Sequence, residues 1–177
     1  MILSPEEIQV TIERLAAEIA QAYRGQPLLL VGVLKGAICL TADLARALGR
    51  QPDGPNEIMV DYVCVERYGA AGSAGGAPRL AMDCTLPVRG QNLLLADAIA
   101  DNGVTLAFLK NHFRGRRTST LRTCVLFDKP ARREVEVAID FRGVTVPNVF
   151  AIGYGLDYKE VYRNLPYLAE LREGQTV

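Results

Sequence analysis

The chain has 177 residues, of which 49% are hydrophobic and 23% are charged. This length suits one domain with a well-formed core, and the composition is that of an ordinary soluble globular protein. The 20 basic and 20 acidic residues give no net charge, so bulk electrostatics favour neither nucleic acid nor an acidic membrane as a partner. We therefore expect a single domain over residues 1–177.

Targeting signals and disulfides are also not predicted. The N-terminal residues MILSPEEIQV lack a basic region before an apolar core, and the apolar run PLLLVGVLKGAICL is too short for a membrane span. The four cysteines are far apart, no CxxC pair occurs and there is one histidine, which argues against a structural zinc site. We interpret the cysteines as free thiols and expect a cytoplasmic protein.

The N-terminal part predicts a helix, a strand, a second helix and a second strand. Residues 4–7, SPEE, combine a capping hydroxyl, a proline and two acids, as at a helix start. Apolar residues then recur at helical spacing until Gly25. The run PLLLVGVL is typical of a strand that is covered on both faces. GAICLTADLARALG predicts a helix that ends at Gly49, and EIMVDYVCV predicts the next strand.

The remainder continues the alternation of strands and helices. Residues 68–79, YGAAGSAGGAPR, predict a mobile loop, because such a segment buries little surface when it becomes ordered. A short strand near RLAMDC, the strand NLLLAD, a helix over 104–114 and the strand LRTCVLF follow. The last two strand-like runs are EVEVAIDF and NVFAIGYGL. This pattern indicates an α/β fold with a largely parallel sheet.

Three loops of unusual composition follow predicted strands: LKGA, DAIADNGVT and DKPARR. Ligands of open α/β sheets bind beyond the carboxyl ends of the strands. In the second loop, Asp97 can accept hydrogen bonds from sugar hydroxyls, and Asp101 can accept a proton. The first residues of the following helix offer amides that suit one phosphate; they are Asn102, Gly103, Val104 and Thr105. The same residue types are also common in plain turns and helix caps, and neither a P-loop nor a dinucleotide motif occurs.

The segment LLLADAIADNGVTL resembles the signature with which type I phosphoribosyltransferases bind phosphoribosyl pyrophosphate. The segments VGVLKGA, RYG, LFDKPARR and FAIGYGLDYKEVYRNLPYL are similar, in order and spacing, to those of hypoxanthine-guanine phosphoribosyltransferases. The likeness covers nearly the whole chain and is most specific in the last segment. It implies the type I fold: a largely parallel twisted sheet flanked by helices, a small hood from the N-terminal and C-terminal segments, and a flexible glycine-rich lid over about residues 66–80.

The resemblance also implies roles in binding the sugar donor. The family's pyrophosphate loop, which contains a non-proline cis peptide bond, matches Leu34, Lys35 and Gly36. Arg163 matches the arginine that binds pyrophosphate, and residues 101–105 match the cradle of the 5′-phosphate. The lid begins at Tyr68, directly after Arg67, and in the family it excludes water from the reaction centre.

For the base, Asp101 matches the acceptor of a proton from a ring nitrogen. Lys129 matches the lysine that donates to the exocyclic oxygen of a 6-oxopurine, and an ammonium group, which only donates, disfavours the amino group of adenine. Phe150 matches the aromatic residue that stacks on the purine, and the backbone of Ala151 matches a contact to the ring edge. Asp157 matches the acid near the magnesium ion and the base. The implied enzyme uses Mg²⁺, converts hypoxanthine or guanine to the mononucleotide, and forms a homodimer or homotetramer.

Three residues depart from the family pattern, all in the donor site. Ala98 stands where the family usually has the second of two adjacent acids. The loss of one charge-assisted hydrogen bond, worth roughly 1.5–3 kcal/mol, predicts a donor affinity about ten- to a hundredfold lower. Asn102 replaces a serine or threonine, although its amide can still donate to a phosphate. Arg67 replaces a serine and adds a cation near the pyrophosphate.

Two alternatives stay open. The Ala98 departure also fits a nucleotide-sensing regulatory protein that keeps the fold but has weak catalysis. A phosphoribosyltransferase that prefers xanthine is the other, because recognition at the 2-position of a purine relies partly on backbone groups.

Overall fold

The computed structural model describes residues 1–68 and 76–172, without the side chain of Tyr68. The elements, in chain order, are α1 (Pro5–Ala22), β1 (Pro27–Leu34), α2 (Ile38–Gly49), β2 (Glu57–Tyr68), β3 (Ala77–Met82), β4 (Asn92–Ala100), α3 (Val104–Arg114), β5 (Thr120–Asp128), a short 3-10 helix (Pro130–Arg132), β6 (Phe141–Thr145), β7 (Ala151–Ile152) and β8 (Ala169–Glu170).

Six strands form one sheet in the order β3-β2-β1-β4-β5-β6. The β2–β3 pair is antiparallel, and every other neighbouring pair in this sheet is parallel. Strands β7 and β8 form a separate two-stranded antiparallel sheet. The predicted α/β fold with a largely parallel sheet is therefore confirmed.

Helices cover both faces of the large sheet, which explains why its central strand β1, PLLLVGVL, is apolar at every position. In β1, Leu28 and Leu30 pack in the core that contains residues of α1 and α2. Their neighbours Leu29 and Val31 pack in the opposite core, which contains residues of α3. Successive side chains of a strand point to opposite faces, so a strand covered on both sides favours apolar residues at successive positions.

The start of α1 is built as the sequence predicts. Ser4 Oγ accepts a hydrogen bond from the backbone N–H of Glu7, and the Glu7 carboxylate accepts one from the backbone N–H of Ser4. This capping box satisfies two amides that the helix itself leaves unpaired. At the other end of the chain, the backbone N–H groups of Ile2 and Leu3 donate to Leu168 O, so the N-terminal segment lies beside β8. A hood built from these two segments stays a prediction.

Two predicted strands are shorter than expected. Of the run EVEVAIDF only Phe141 is in a strand, and residues 134–140 are irregular. The reason is that the backbone N–H groups of Glu134 and Val135 both donate to Asn102 O, at 3.0 Å, and so the segment pairs with a loop instead of a strand. Of the run NVFAIGYGL only Ala151 and Ile152 form a strand.

The predicted lid is bounded by strands. Glu66 pairs with Arg79 and Tyr68 pairs with Ala77 in the β2–β3 ladder, so both ends of the range 66–80 belong to the sheet. Residues 69–75 lie outside the described part of the chain. Within the described ranges, no helix has both the length and the apolar character that crossing a membrane requires.

Candidate active site

Two adjoining cavities lie at the carboxyl ends of β1 and β4. Their volumes are about 220 and 610 Å³, and they share four lining residues: Arg67, Ile99, Asp101 and Asn102. The smaller cavity reaches from Leu34 and Gly36 to the start of α3. The larger one reaches to the segment before and after β7. Asp101 therefore lies on the wall between the two.

The start of α3 forms one side of the smaller cavity, which is lined by Asn102, Gly103 and Thr105. Gly103 has a φ of 86°, and a Cβ atom placed there would lie 2.3 Å from Val135 O, so this position requires glycine. The unpaired amides at a helix start favour an anion. The role of these residues in binding a phosphate stays a prediction.

Asn102 is already engaged in this structure. Its Nδ2 donates to Glu134 Oε2 at 3.3 Å, and its Oδ1 accepts a hydrogen bond from the backbone N–H of Val104 at 3.3 Å. The side-chain amide that the sequence assigns to a phosphate is thus held by Glu134. One of the four predicted amides, that of Val104, is capped by Asn102 itself. A phosphate must displace these contacts to use all four residues.

Asp97 is more deeply buried than the sequence indicates. It lies within β4, opposite Val125 of β5, and is 9% exposed. Burial raises the pKa of its carboxyl group to about 7, while the backbone N–H groups of Ala98 and Ile99 act in the opposite direction. Asp97 lines the smaller cavity, so it can still accept hydrogen bonds from a ligand there.

Lys129 lies in the wall of the larger cavity and is 6% exposed. Its Nζ donates to Val149 O at 2.8 Å and lies 3.8 Å from Asp101 Oδ1. Burial lowers the pKa of Lys129, the Asp101 charge opposes this, and the Arg132 charge adds to it. Two of the three donor positions of the ammonium group stay available for a ligand.

Asp101 Oδ1 is a buried oxygen with no hydrogen-bond partner among the described residues. Arg132 Nε lies 3.1 Å from it, close enough for an ion pair but without the angle of a hydrogen bond. A buried acceptor without a donor is unfavourable by about 1–3 kcal/mol. A ligand that brings an N–H group to this oxygen would remove that penalty.

The far wall of the larger cavity carries the three remaining predicted base contacts. Phe150 is 55% exposed, and its ring meets the Tyr158 ring edge-on at 5.7 Å. Ala151 and Asp157 line the same cavity. An exposed aromatic face beside a buried lysine suits a flat ring that is polar at its edge.

Of the predicted pyrophosphate residues, Leu34 and Gly36 line the smaller cavity, whereas Lys35 and Arg163 line neither cavity and lie beside Glu160. The Leu34–Lys35 peptide bond is cis, as the resemblance implies. Lys35 Nζ lies 2.8 Å from Glu160 Oε2, and Arg163 Nη2 lies 3.3 Å from Glu160 Oε1 and 2.7 Å from Asp157 Oδ1. Both cations are thus paired with acids.

The lid residues are placed in part. Arg67 lines both cavities, and its Nε donates to Gly76 O at 3.3 Å. This position puts a cation beside the predicted donor site, as the sequence indicates. The side chain of Tyr68 lies outside the described part, and its role stays a prediction.

Sequence reasoning did not assign three charged residues that complete the site. Arg132 lies beside the Asp101 carboxylate. Arg133 Nη1 donates to Asp101 O at 2.7 Å, and its other nitrogen pairs with the fully buried Asp128. Glu160 bridges the two predicted pyrophosphate cations. The signal for the two arginines was the unusual composition of the DKPARR loop. The sequence alone does not indicate which acid each arginine contacts.

The acids of the site fit a magnesium ion only if the substrate supplies part of its ligand set. Within residues 1–68 and 76–172, no group of three or more histidine, cysteine, aspartate and glutamate side chains is placed to hold a metal. Asp157, the residue that the sequence assigns to the metal, lines the larger cavity. Mg²⁺ is commonly bound by one or two carboxylates together with water and substrate phosphates, and Asp157 beside a diphosphate fits this pattern.

A largely parallel sheet with a cavity at the start of a helix, next to a buried lysine and a carboxylate, is typical of α/β proteins that bind phosphate-containing ligands. The chain belongs to the phosphoribosyl transferase family, since the model of the phosphoribosyl transferase domain matches residues 1–159.

Individual relatives extend the likeness over almost the whole chain. The hypoxanthine-guanine phosphoribosyltransferase of Bacillus subtilis is 36% identical and is matched over 97% of this chain and 92% of its own length. The enzyme of the same name from Mycobacterium avium is 37% identical, with 97% and 84% covered.

Solved structures agree in fold. A hypoxanthine-guanine phosphoribosyltransferase from Bacillus anthracis superposes with a TM-score of 0.88 at 33% identity, covering 97% of this chain and 98% of that one. A variant of the hypoxanthine phosphoribosyltransferase from Trypanosoma cruzi, solved as a ternary substrates complex, gives a TM-score of 0.88 at 34% identity, with 98% and 95% covered.

The buried carboxyl group of Asp97 predicts an unusual dependence of stability on pH. Its pKa is about 7 in the folded chain and about 3.9 in the unfolded chain. Between these values the folded state binds more protons, so the free energy of unfolding falls as the pH rises, by roughly 4 kcal/mol in total. Asp97→Asn removes this dependence. The variant should therefore gain stability relative to the unmodified protein from about pH 4 to about pH 8 in urea unfolding.

The matched control is Asp53→Asn, which changes an exposed acid paired with Arg24 and should leave the pH profile as it is. A difference between Asp97→Asn and the unmodified protein that stays constant with pH would contradict the assignment of this titration to Asp97.

Proposed function

We propose that the chain is a purine-salvage enzyme that transfers the 5-phosphoribosyl group from phosphoribosyl pyrophosphate to hypoxanthine or guanine, giving IMP or GMP and pyrophosphate. The observation that carries this proposal is the buried Oδ1 of Asp101, which accepts no hydrogen bond among the described residues and lies between the smaller cavity and the buried Nζ of Lys129. The names of the relatives from B. subtilis and M. avium support the same substrates here.

The choice of a 6-oxopurine follows from Lys129. Its ammonium group is fixed by the hydrogen bond to Val149 O and can only donate, so it favours an exocyclic oxygen over an amino group. The exposed ring of Phe150 lies in the wall of the same cavity and can stack on the base. Hypoxanthine, guanine and xanthine all carry the 6-oxygen, so this contact alone does not separate them.

In the proposed reaction, the bond from the anomeric carbon to the pyrophosphate oxygen breaks and a bond from the same carbon to the base nitrogen forms. The base loses a proton from a ring nitrogen, and Asp101 Oδ1 is the acceptor. Such general-base work typically contributes 10²–10⁴-fold to the rate, an order-of-magnitude range. Lys129 Nζ and Arg132 Nε lie 3.8 and 3.1 Å from this oxygen.

The leaving pyrophosphate gains negative charge as its bond breaks. Arg163, with its side chain 22% exposed, and the amides of the Lys35 loop are proposed to stabilise that charge. Asp157 is proposed to hold Mg²⁺ together with the diphosphate. The ion, when bound, would neutralise charge on the phosphate oxygens.

We further propose a cytoplasmic homodimer or homotetramer. The four cysteines are free thiols in the structure, which agrees with a reducing compartment. Large apolar side chains stay exposed outside the two cavities, among them Ile38 and Val60, and such positions are common at subunit interfaces.

An assay of a panel of bases tests the function directly. Purified protein with Mg²⁺ and phosphoribosyl pyrophosphate should form IMP from hypoxanthine or GMP from guanine, and no AMP from adenine, as followed by chromatography. If xanthine reacts best, the protein is instead a phosphoribosyltransferase that prefers xanthine. If no base reacts while IMP or GMP binds tightly, the nucleotide-sensing alternative replaces the proposed reaction.

Asp101→Asn tests the proton acceptor, because it keeps the shape of the side chain and removes its charge. We expect kcat to fall by about 10²–10⁴-fold, with binding of IMP and the thermal unfolding temperature changed little. Steady-state kinetics, calorimetric titration with IMP and circular dichroism measure the three quantities. A variant with nearly full kcat would show that another group takes the proton.

Ala98→Asp tests the departure in the donor site. The Ala98 side chain is fully buried, and its Cβ lies 3.8 Å from where a Cβ on Gly36 would be, so a carboxylate there faces the pyrophosphate loop. We expect the KM for phosphoribosyl pyrophosphate to fall by about ten- to a hundredfold, while the KM for hypoxanthine stays the same. Ala98→Asn is the control of equal size without the charge. An unchanged donor KM in Ala98→Asp would refute the interpretation of this departure.

A further inference from the structure

Glu160 occupies the two cations that are proposed to bind pyrophosphate. Its Oε2 lies 2.8 Å from Lys35 Nζ, and its Oε1 lies 3.3 Å from Arg163 Nη2. One carboxylate therefore places an oxygen on each cation. Two oxygens on one small anionic group, each bound to a different cation, are also the contacts that a phosphate group would make at this place.

The fold brings these residues together through a close approach of two loops. Gly155 has a φ of 94°, and a Cβ atom placed there would lie 2.0 Å from Gly36 O. The segment that follows β7 thus packs with its backbone directly against the pyrophosphate loop. Lys35 and Glu160, 125 positions apart in the sequence, become neighbours for this reason.

The loop that carries Glu160 is held in place from the same site. The backbone N–H of Glu160 donates to Asp157 Oδ2 at 2.9 Å, and Glu160 itself has a φ of 67°, a left-handed conformation that side chains other than glycine seldom adopt. The carboxylate is nevertheless free to move, because the Glu160 side chain is 64% exposed.

The guanidinium group of Arg163 uses only some of its hydrogen-bond donors within the described residues. Its Nη1 donates to Gly155 O at 2.8 Å, which fixes the guanidinium group. Its Nε is buried and has no hydrogen-bond partner among the described residues. The guanidinium group is therefore fixed in position, while one of its N–H groups donates no hydrogen bond among the described residues. An anion that displaces Glu160 would meet a cation that is already positioned.

We propose that Glu160 sets the affinity for the sugar donor by holding the place of pyrophosphate in the free protein. Its carboxylate pairs with Lys35 and Arg163 until the diphosphate of the donor binds, and then moves into solvent. It returns when pyrophosphate leaves and so favours release of that product. This inference rests on the proposed function, because it concerns the pyrophosphate half of that site.

The effect of Glu160 should be a few-fold and sensitive to salt. Its ion pairs are largely exposed, with side-chain exposures of 60% for Lys35 and 64% for Glu160, and exposed pairs contribute little because solvent screens them. A diphosphate, which carries more charge and can also meet the loop amides, outcompetes one carboxylate.

Glu160→Gln tests the proposal without removing a cation. Calorimetric titration with magnesium pyrophosphate should show binding about three- to tenfold tighter than in the unmodified protein. This difference in affinity should become smaller as the salt concentration is raised. The KM for phosphoribosyl pyrophosphate should fall by the same factor, and the KM for hypoxanthine should stay constant. Asp53→Asn, which removes one exposed acid from an ion pair of 3.0 Å remote from the site, should change none of these.

Unchanged or weaker pyrophosphate binding in Glu160→Gln would overturn the proposal, because it would mean that Glu160 only positions Lys35 and Arg163. In a Lys35→Met background, Glu160→Gln should tighten pyrophosphate binding by a smaller factor. An equal factor in that background would also overturn the proposal. If the unmodified protein forms no nucleotide while Glu160→Gln still tightens pyrophosphate, the proposed function fails and the inference about the anion site stands.

Discussion

The arrangement of the site depends on the ion pair between Asp128 and Arg133. Asp128 ends β5 and is fully buried, and a buried carboxylate is tolerated only when it is paired. Arg133 pairs with it and also donates from Nη1 to Asp101 O at 2.7 Å. The loop after β5 is thereby fastened to the loop after β4. Lys129 and Asp101 directly follow the neighbouring strands β5 and β4, whose last residues are paired, and the Arg133 contacts hold the two loops with Lys129 Nζ 3.8 Å from Asp101 Oδ1.

The charges of the site are balanced within the chain before any ligand arrives. Lys35 and Arg163 pair with Glu160, Arg132 lies beside Asp101, and Asn102 is held by Glu134. An anionic donor must exchange partners with these groups, so it gains only the difference between new and old contacts. We propose that a site organised in this way binds its anionic donor by substitution of one anion for another. It therefore keeps its cations in position while remaining able to release a charged product.

The fold was predictable from the sequence because its signals are local. The strand PLLLVGVL is apolar at every position since both of its faces are covered, and the α1 start carries its own cap at Ser4. The start of α3 was predictable for the same reason, because a glycine before a helix is a local signal. Segment 134–140 was misjudged, since its alternating pattern does not reveal that Glu134 and Val135 bond to Asn102. The burial of Asp97 and the bridge from Glu160 to Lys35 depend on tertiary contacts that no short stretch encodes.

A crystal structure with IMP bound would test most directly whether these loops converge on one cleft. Its resolution must be high enough to fix the orientation of the purine ring. The phosphate should lie at the amides of residues 102–105, the 6-oxygen should accept a hydrogen bond from Lys129 Nζ, and a ring nitrogen should lie within hydrogen-bond distance of Asp101 Oδ1. IMP bound away from Asp101 and Lys129, or with its phosphate elsewhere than the start of α3, would contradict a single cleft that joins phosphate, sugar and base.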